Sequence, residues 1–254
     1  MDTIENYAAQ VDSDFALEVG DELSAFAVQV TNLRANPESA GDCLDNLRAG
    51  LARLMALRGS VDQPLLDLLL RRMDNYLHDL ADPTSDQIGD IEAFLDVIQG
   101  ILDDEIGGKV DEAEFFRSLP VRRPADLDDF RALDLEILVV DTNKTAARIV
   151  GRELINCGYR IATAHRSFEA LELAIRTRPD MIIASAVLDE MSGVDLGSAL
   201  SVVQATESIP FAVLTSFDAS DASFARLPAS AAVMKKGDNF ADDFAAALER
   251  FGIA

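Results

Sequence analysis

The residues best suited to chemistry each come directly after a short apolar segment in the second half of the chain. They are Asp141 with Thr142, Ser185, Thr215 with Ser216, and Lys235 with Lys236. A carboxylate can ligate a hard cation, and a serine hydroxyl is a weak nucleophile unless a base activates it. No histidine lies near Ser185 in the sequence, so the set contains no activated nucleophile.

The apolar segments that precede these residues predict parallel strands. The run EILVV at 136–140 is continuously apolar and β-branched, which is typical of a strand buried on both faces. Further strands are predicted at RIATA, MIIASAVL, FAVLTS and AAVMK, with helical stretches between them and a final helix over 240–251. This βαβαβαβαβα order over about 120 residues predicts a doubly wound parallel sheet. In such a sheet the site lies beyond the carboxyl ends of the strands, at the switch point of strand order.

This half of the chain resembles a response-regulator receiver domain. The resemblance rests on ILVVDTN, the Gly158-Tyr159 turn, RPDMIIASAVLDEMSGVDL, IPFAVLTS and a lysine at the end of the fifth strand. It implies that an acidic pair after the first strand holds Mg²⁺. It also implies that an aspartate after the third strand accepts a phosphoryl group from a phosphohistidine, and that a Thr or Ser and a Lys contact that group.

The machinery implied by the resemblance is incomplete in this sequence. Asp141 matches the first acidic residue, but Thr142 stands in place of the second. Ser185 stands at the acceptor position, counted back from Gly193, and Thr215 matches the switch hydroxyl.

Two lysines compete for the position at the end of the fifth strand. Lys235 fits if Ala229-Ser230 sets the register, and Lys236 fits if Gly237 replaces the family's usual proline. We prefer Lys235 on this ground.

These losses predict a receiver that carries no phosphoryl group and needs no cofactor. Mg²⁺ is usually held through one or two carboxylates, and the substitutions at 142 and 185 remove most of that charge, so Mg²⁺ binding is disfavoured. Asp189, four positions after Ser185, is the alternative acceptor. Its spacing to Gly193 is shorter than the family pattern, which favours a solvated loop carboxylate.

The first half of the chain is predicted to be an antiparallel four-helix bundle. Apolar residues recur every three or four positions over 14–35, 44–57, 64–80 and 85–106, and no strand pattern precedes residue 108. Asn36-Pro37 ends the first stripe, Pro64 begins the third, and Thr84-Ser85 can cap the fourth.

The bundle resembles a histidine-phosphotransfer (HPt) domain that lacks its histidine. The stretch LRAGLARLMALRGS places Leu57-Arg58-Gly59-Ser60 where that family has Leu-Lys-Gly-Ser. The phosphohistidine would then fall at Met55, or at Leu51 in a second register. Of the two histidines in the chain, His78 follows the third helical stripe, and His165 follows the second strand of the sheet.

Charge and composition divide the 254 residues into three parts. Residues 1–108 hold 6 basic and 22 acidic residues, the connector 109–134 holds 5 and 7, and the sheet domain 135–254 holds 11 and 16. A net charge of −23 argues against nucleic acid and against anionic membrane surfaces as partners. The acidic N-terminus lacks the pattern of a signal peptide, and the two cysteines lack metal-ligand spacing, so a cytoplasmic location is expected.

The sequence therefore predicts a non-enzymatic signalling adaptor that binds a histidine kinase, an HPt protein or a response regulator, with a homodimer through the fourth helix left open. The alternative is a phosphorelay protein that transfers or removes phosphoryl groups through His78 or Asp189. A phosphatase function through the spacing Glu153-x-x-Asn156, or through Asp96 and Gln99, is the weakest hypothesis.

Overall fold

The computed structural model describes residues 2–57, 63–78, 80–103, 105–106, 110–122, 134–218, 221–237 and 239–253. For residues 2–14, 37 and 57 it describes the backbone alone. The chain divides into two compact units, Met1–Arg122 and Arg123–Ala254. The Arg58-Gly59-Ser60 part of the HPt-like motif and the Gly107-Gly108 pair lie outside the described residues.

All the regular secondary structure among the described residues of the first unit is helical, as the apolar stripes predict. Its helices are α1 (Asp2–Ala35), α2 (Ala40–Leu57), α3 (Pro64–Leu77), α4 (Ser85–Leu102) and α5 (Glu112–Ser118). Helix α1 packs against α2 and α4, and α3 packs against the same two helices. The buried stripe of leucine, isoleucine and phenylalanine side chains along each of α1–α4 forms the core of this unit.

Local signals explain where these helices begin and end. Pro64 occupies the first turn of α3, where its missing N–H costs no hydrogen bond. Thr84 and Gln87 form a reciprocal capping box at the start of α4. The helices differ from the predicted stripes at their ends: α1 begins at Asp2, α3 ends at Leu77 and α4 ends at Leu102.

Helix α5 lies within the segment that the sequence predicts as a connector. Phe115, Phe116 and Leu119 are buried, and the guanidinium of Arg72 on α3 stacks 3.8 Å from the centre of the Phe116 ring. The apolar residues of this segment therefore dock on the helical unit, while 123–133 lie outside the described residues.

The second unit is a five-stranded parallel sheet with helices around it. The strands are β1 (Glu136–Val140), β2 (Arg160–Ala164), β3 (Met181–Ser185), β4 (Phe211–Thr215) and β5 (Ala232–Lys235), in the order β2-β1-β3-β4-β5. The helices are α6 (Lys144–Asn156), α7 (Ser167–Thr177), α8 (Gly193–Leu200) and α9 (Phe240–Phe251). The predicted doubly wound fold is confirmed.

One connection differs from a strict alternation of strand and helix. Between β4 and β5 the described residues contain a three-residue 3-10 helix, Ala222–Phe224, in place of an α-helix. The register nevertheless keeps the strand ends level, because Val140 pairs with both Ala164 and Ala184, and Thr215 pairs with Lys235. Among all the described residues, no helix is both long and apolar enough to cross a membrane.

Candidate functional site

The candidate site lies at the carboxyl ends of the central strands. The order of the strands reverses at β1, which has β2 on one side and β3 on the other. Crevices at such switch points are where open α/β sheets place their ligands. Asp141 follows β1, Ser185 ends β3 and Lys236 follows β5, so three distant parts of the sequence meet at one edge.

Lys236 connects the other two residues. Its Nζ donates to Asp141 Oδ2 over 2.9 Å and to Ser185 Oγ over 3.2 Å. Asp141 and Ser185 are buried, at 5% and 4% exposure. Asp141 Oδ1 also accepts the backbone N–H of Asn143 over 2.9 Å. The single carboxylate is thus neutralised by the ammonium group, and the serine hydroxyl accepts a hydrogen bond from the same cation.

The lysine of the site is Lys236 and not Lys235, which corrects the sequence assignment. Lys235 Nζ instead pairs with Asp218 Oδ1 over 2.6 Å, and this contact raises the pKa of Lys235. The reason is strand alternation, since successive side chains point to opposite faces of a sheet. Lys236 follows Met234, a residue of the sheet core, by two positions and therefore shares its face.

The turn after Lys236 requires glycine rather than the proline of the receiver pattern. Gly237 has φ of +110°, in the region that side-chain-bearing residues rarely adopt. The Gly237 register, which was the second alternative from the sequence, therefore corresponds to the observed site.

Thr215, which matches the switch hydroxyl of the receiver pattern, and Thr142, which replaces its second acidic residue, lie at the same edge. Thr215 is buried, and its Oγ1 accepts the backbone N–H of Phe217 over 3.0 Å. Thr142 is half-buried next to Asp141. The hydrogen-bonded cluster itself consists of Asp141, Ser185 and Lys236.

Gly193 holds Ser185 in place through close packing. A Cβ atom at position 193 would lie 2.2 Å from the carbonyl oxygen of Ser185, and the Gly193 N–H donates to Ala186 O over 3.0 Å. Only glycine permits helix α8 to begin this close to the end of β3. This contact gives a physical basis for counting back from Gly193 to Ser185.

Glu190 joins the loop between β3 and α8 to the start of α7 through hydrogen bonds. Its carboxylate accepts from the backbone N–H of Phe168 over 3.0 Å, from Ser167 Oγ over 3.2 Å and from the Arg166 guanidinium. The Phe168 N–H and the charge of Arg166 lower the pKa of Glu190. The sequence did not predict the contacts of Glu190, because its partners lie more than twenty positions away in the chain.

Two other residues considered from the sequence lie in the loops at this edge. His165 Nδ1 is 3.0 Å from the backbone oxygen of Asp141, which confirms its place at the carboxyl edge of the sheet. Asp189 is exposed in the loop after β3. Glu153 and Asn156 are exposed on α6.

The receiver pattern implies a Mg²⁺ ion, and the donor set at this edge does not fit one. Mg²⁺ takes hard oxygen ligands in near-octahedral geometry, usually one or two carboxylates together with several waters. Asp141 contributes the one carboxylate of the cluster and already pairs with Lys236, whose positive charge would repel a second cation. Across the described ranges, no group of three or more His, Cys, Asp or Glu side chains converges in a way that could hold a metal.

In the helical unit, the two positions that the HPt resemblance predicts for a histidine differ in accessibility. Leu51 is fully buried in the core, whereas Met55 on α2 is half-buried. A phosphohistidine must be accessible to a partner, so Met55 is the position compatible with that pattern. His78 is exposed directly after α3, where its backbone N–H donates to Asp74 O.

Comparison with known proteins matches the sheet unit to one family. Residues 137–238 match the profile described as "Response regulator receiver domain". The "Response regulator MprA" of Mycobacterium ulcerans is 29% identical over 99 residues, which are 39% of this chain and 42% of that protein. The protein of the same name from Mycobacterium avium is 29% identical over 97 residues, which are 38% of this chain and 42% of that protein. The chain thus spans less than half the length of these curated relatives.

Solved structures with similar folds include two further response regulators. The chemotaxis response regulator CheY4 of Vibrio cholerae is 25% identical with a TM-score of 0.41, covering 46% of this chain and 98% of that one. A response regulator from Desulfuromonas acetoxidans is 26% identical with a TM-score of 0.39. The match covers 46% of this chain and 94% of that one. By the family match, residues 137–238 are similar to response-regulator receiver domains.

Proposed function

We propose that this chain is a non-catalytic adaptor in two-component signalling, and that its receiver domain binds a partner without accepting a phosphoryl group. One observation carries the proposal: Asp141 and the hydroxyl of Ser185, the residue that we assign to the acceptor position, share the same ammonium group of Lys236. The receiver match and the similarity to response regulators support the signalling context.

The chemistry of the cluster favours binding over phosphoryl transfer. A serine hydroxyl becomes a nucleophile when a base removes its proton. The hydrogen-bonded neighbour of Ser185 is the Lys236 ammonium group, and this group has no lone pair to accept that proton. Carboxylates and a metal ion normally organise this reaction, and the donor set here does not fit such an ion.

The partner that we propose is a histidine kinase, an HPt protein or a response regulator. The helical unit contributes a surface with Met55 where an HPt domain has its histidine, and Met55 is partly accessible. The large negative charge of residues 1–108 gives electrostatic complementarity to a basic partner and speeds the encounter.

Phosphorylation of the purified chain tests the proposal directly. The wild type and the double variant Thr142→Asp/Ser185→Asp are incubated with an acyl phosphate and Mg²⁺, and intact masses are measured. We expect the wild type to keep its mass, and the variant, whose carboxylates restore the metal and acceptor positions, to gain one phosphoryl group. A phosphorylated wild type, with the group mapped to Asp189 or His78, would instead support the phosphorelay alternative.

A second assay addresses action on a partner. A phosphorylated response regulator is incubated with and without the chain, and the remaining phosphoprotein is followed over time. The adaptor proposal expects equal rates of loss. Faster loss that disappears in Glu153→Ala/Asn156→Ala would identify a phosphatase.

A further inference from the structure

We draw no further inference here: the strongest candidate, the exposed and uncharged face of helix α1 that carries Ser24, Val28 and Thr31, supports no proposal because nothing in the structure shows what covers it.

Discussion

A single ammonium group organises the polar end of this sheet. Lys236 bonds to Asp141 and to Ser185, and the buried carboxylate has no other cation in the hydrogen-bonded cluster. The positive charge that neutralises Asp141 is therefore covalently part of the chain and is present without any ligand. The arrangement makes the local structure depend on one side chain.

Replacing this lysine should destabilise the chain. Lys236→Met leaves the buried Asp141 carboxylate without its cation, and we expect a loss of about 2 kcal/mol in the free energy of unfolding. Urea denaturation of the full chain measures it. Lys235→Met, whose pair with Asp218 is exposed, is the matched control and should change little. Equal losses in both variants would argue against a special contribution from Lys236.

Neutralising the carboxylate should partly reverse that loss. In Lys236→Met/Asp141→Asn the buried group is no longer an unpaired charge, so its desolvation is less costly. We expect the double variant to be more stable than Lys236→Met alone. Additive losses in urea denaturation would mean that Asp141 and Lys236 stabilise the fold independently.

At the scale of elements, two contacts set the geometry of the loop between β3 and α8. Gly193 brings the start of α8 against the end of β3, and Glu190 ties the same loop to the start of α7. The first contact is steric and the second is electrostatic, so they respond to different perturbations.

The steric contact is tested by adding one methyl group. In Gly193→Ala the new Cβ meets the Ser185 carbonyl oxygen, and the backbone must shift, at a cost of about 1–3 kcal/mol. Gly89→Ala in α4 is the control, because its Cβ meets nothing within 4 Å. There the higher helix propensity of alanine should stabilise by up to about 1 kcal/mol. Thermal melts that rank the two variants in the opposite order would contradict the packing described here.

The electrostatic contact predicts a pH dependence. Because Phe168 N–H and Arg166 lower the pKa of Glu190, its stabilisation is complete above the ordinary carboxyl pKa of about 4.3. That stabilisation is lost as the pH falls through the lower value in the folded state. The difference in Tm between the wild type and Glu190→Gln should therefore be largest near neutral pH and shrink on acidification. Glu207→Gln, at an exposed position, controls for general acid effects.

At the scale of the whole molecule, the division into two units assigns α5 to the helical one. Phe115, Phe116 and Leu119 are buried there, and Phe116 stacks on Arg72 of α3. The sheet unit has its own core, formed by residues of the strands and of α6 and α9. Each unit therefore buries its own apolar residues.

Truncation tests whether α5 belongs to the folded helical unit. A fragment of residues 1–122 should unfold cooperatively, and a fragment of residues 1–108 should be less stable by at least about 3 kcal/mol, since it loses three buried apolar side chains. Urea denaturation of the two fragments compares them. Equal stabilities would show that α5 contributes nothing to this core.

The sequence by itself determined the architecture. Alternating strands and helices predicted the parallel sheet, and apolar stripes predicted the helical first unit. Counting back from Gly193 predicts that Ser185 stands at the acceptor position of the receiver pattern. These features depend on local periodicity and on residue identity, which can be read without coordinates.

Only the tertiary structure decided which side chains meet. Lys235 and Lys236 are adjacent in sequence, yet their side chains point to opposite faces of the sheet. Lys235 therefore pairs with the exposed Asp218, and Lys236 pairs with the buried Asp141. Glu190 and α5 acquired their contacts in the same way, from residues distant in the chain. Such contacts depend on register and packing between elements, because a shift of one residue along a strand exchanges its two faces.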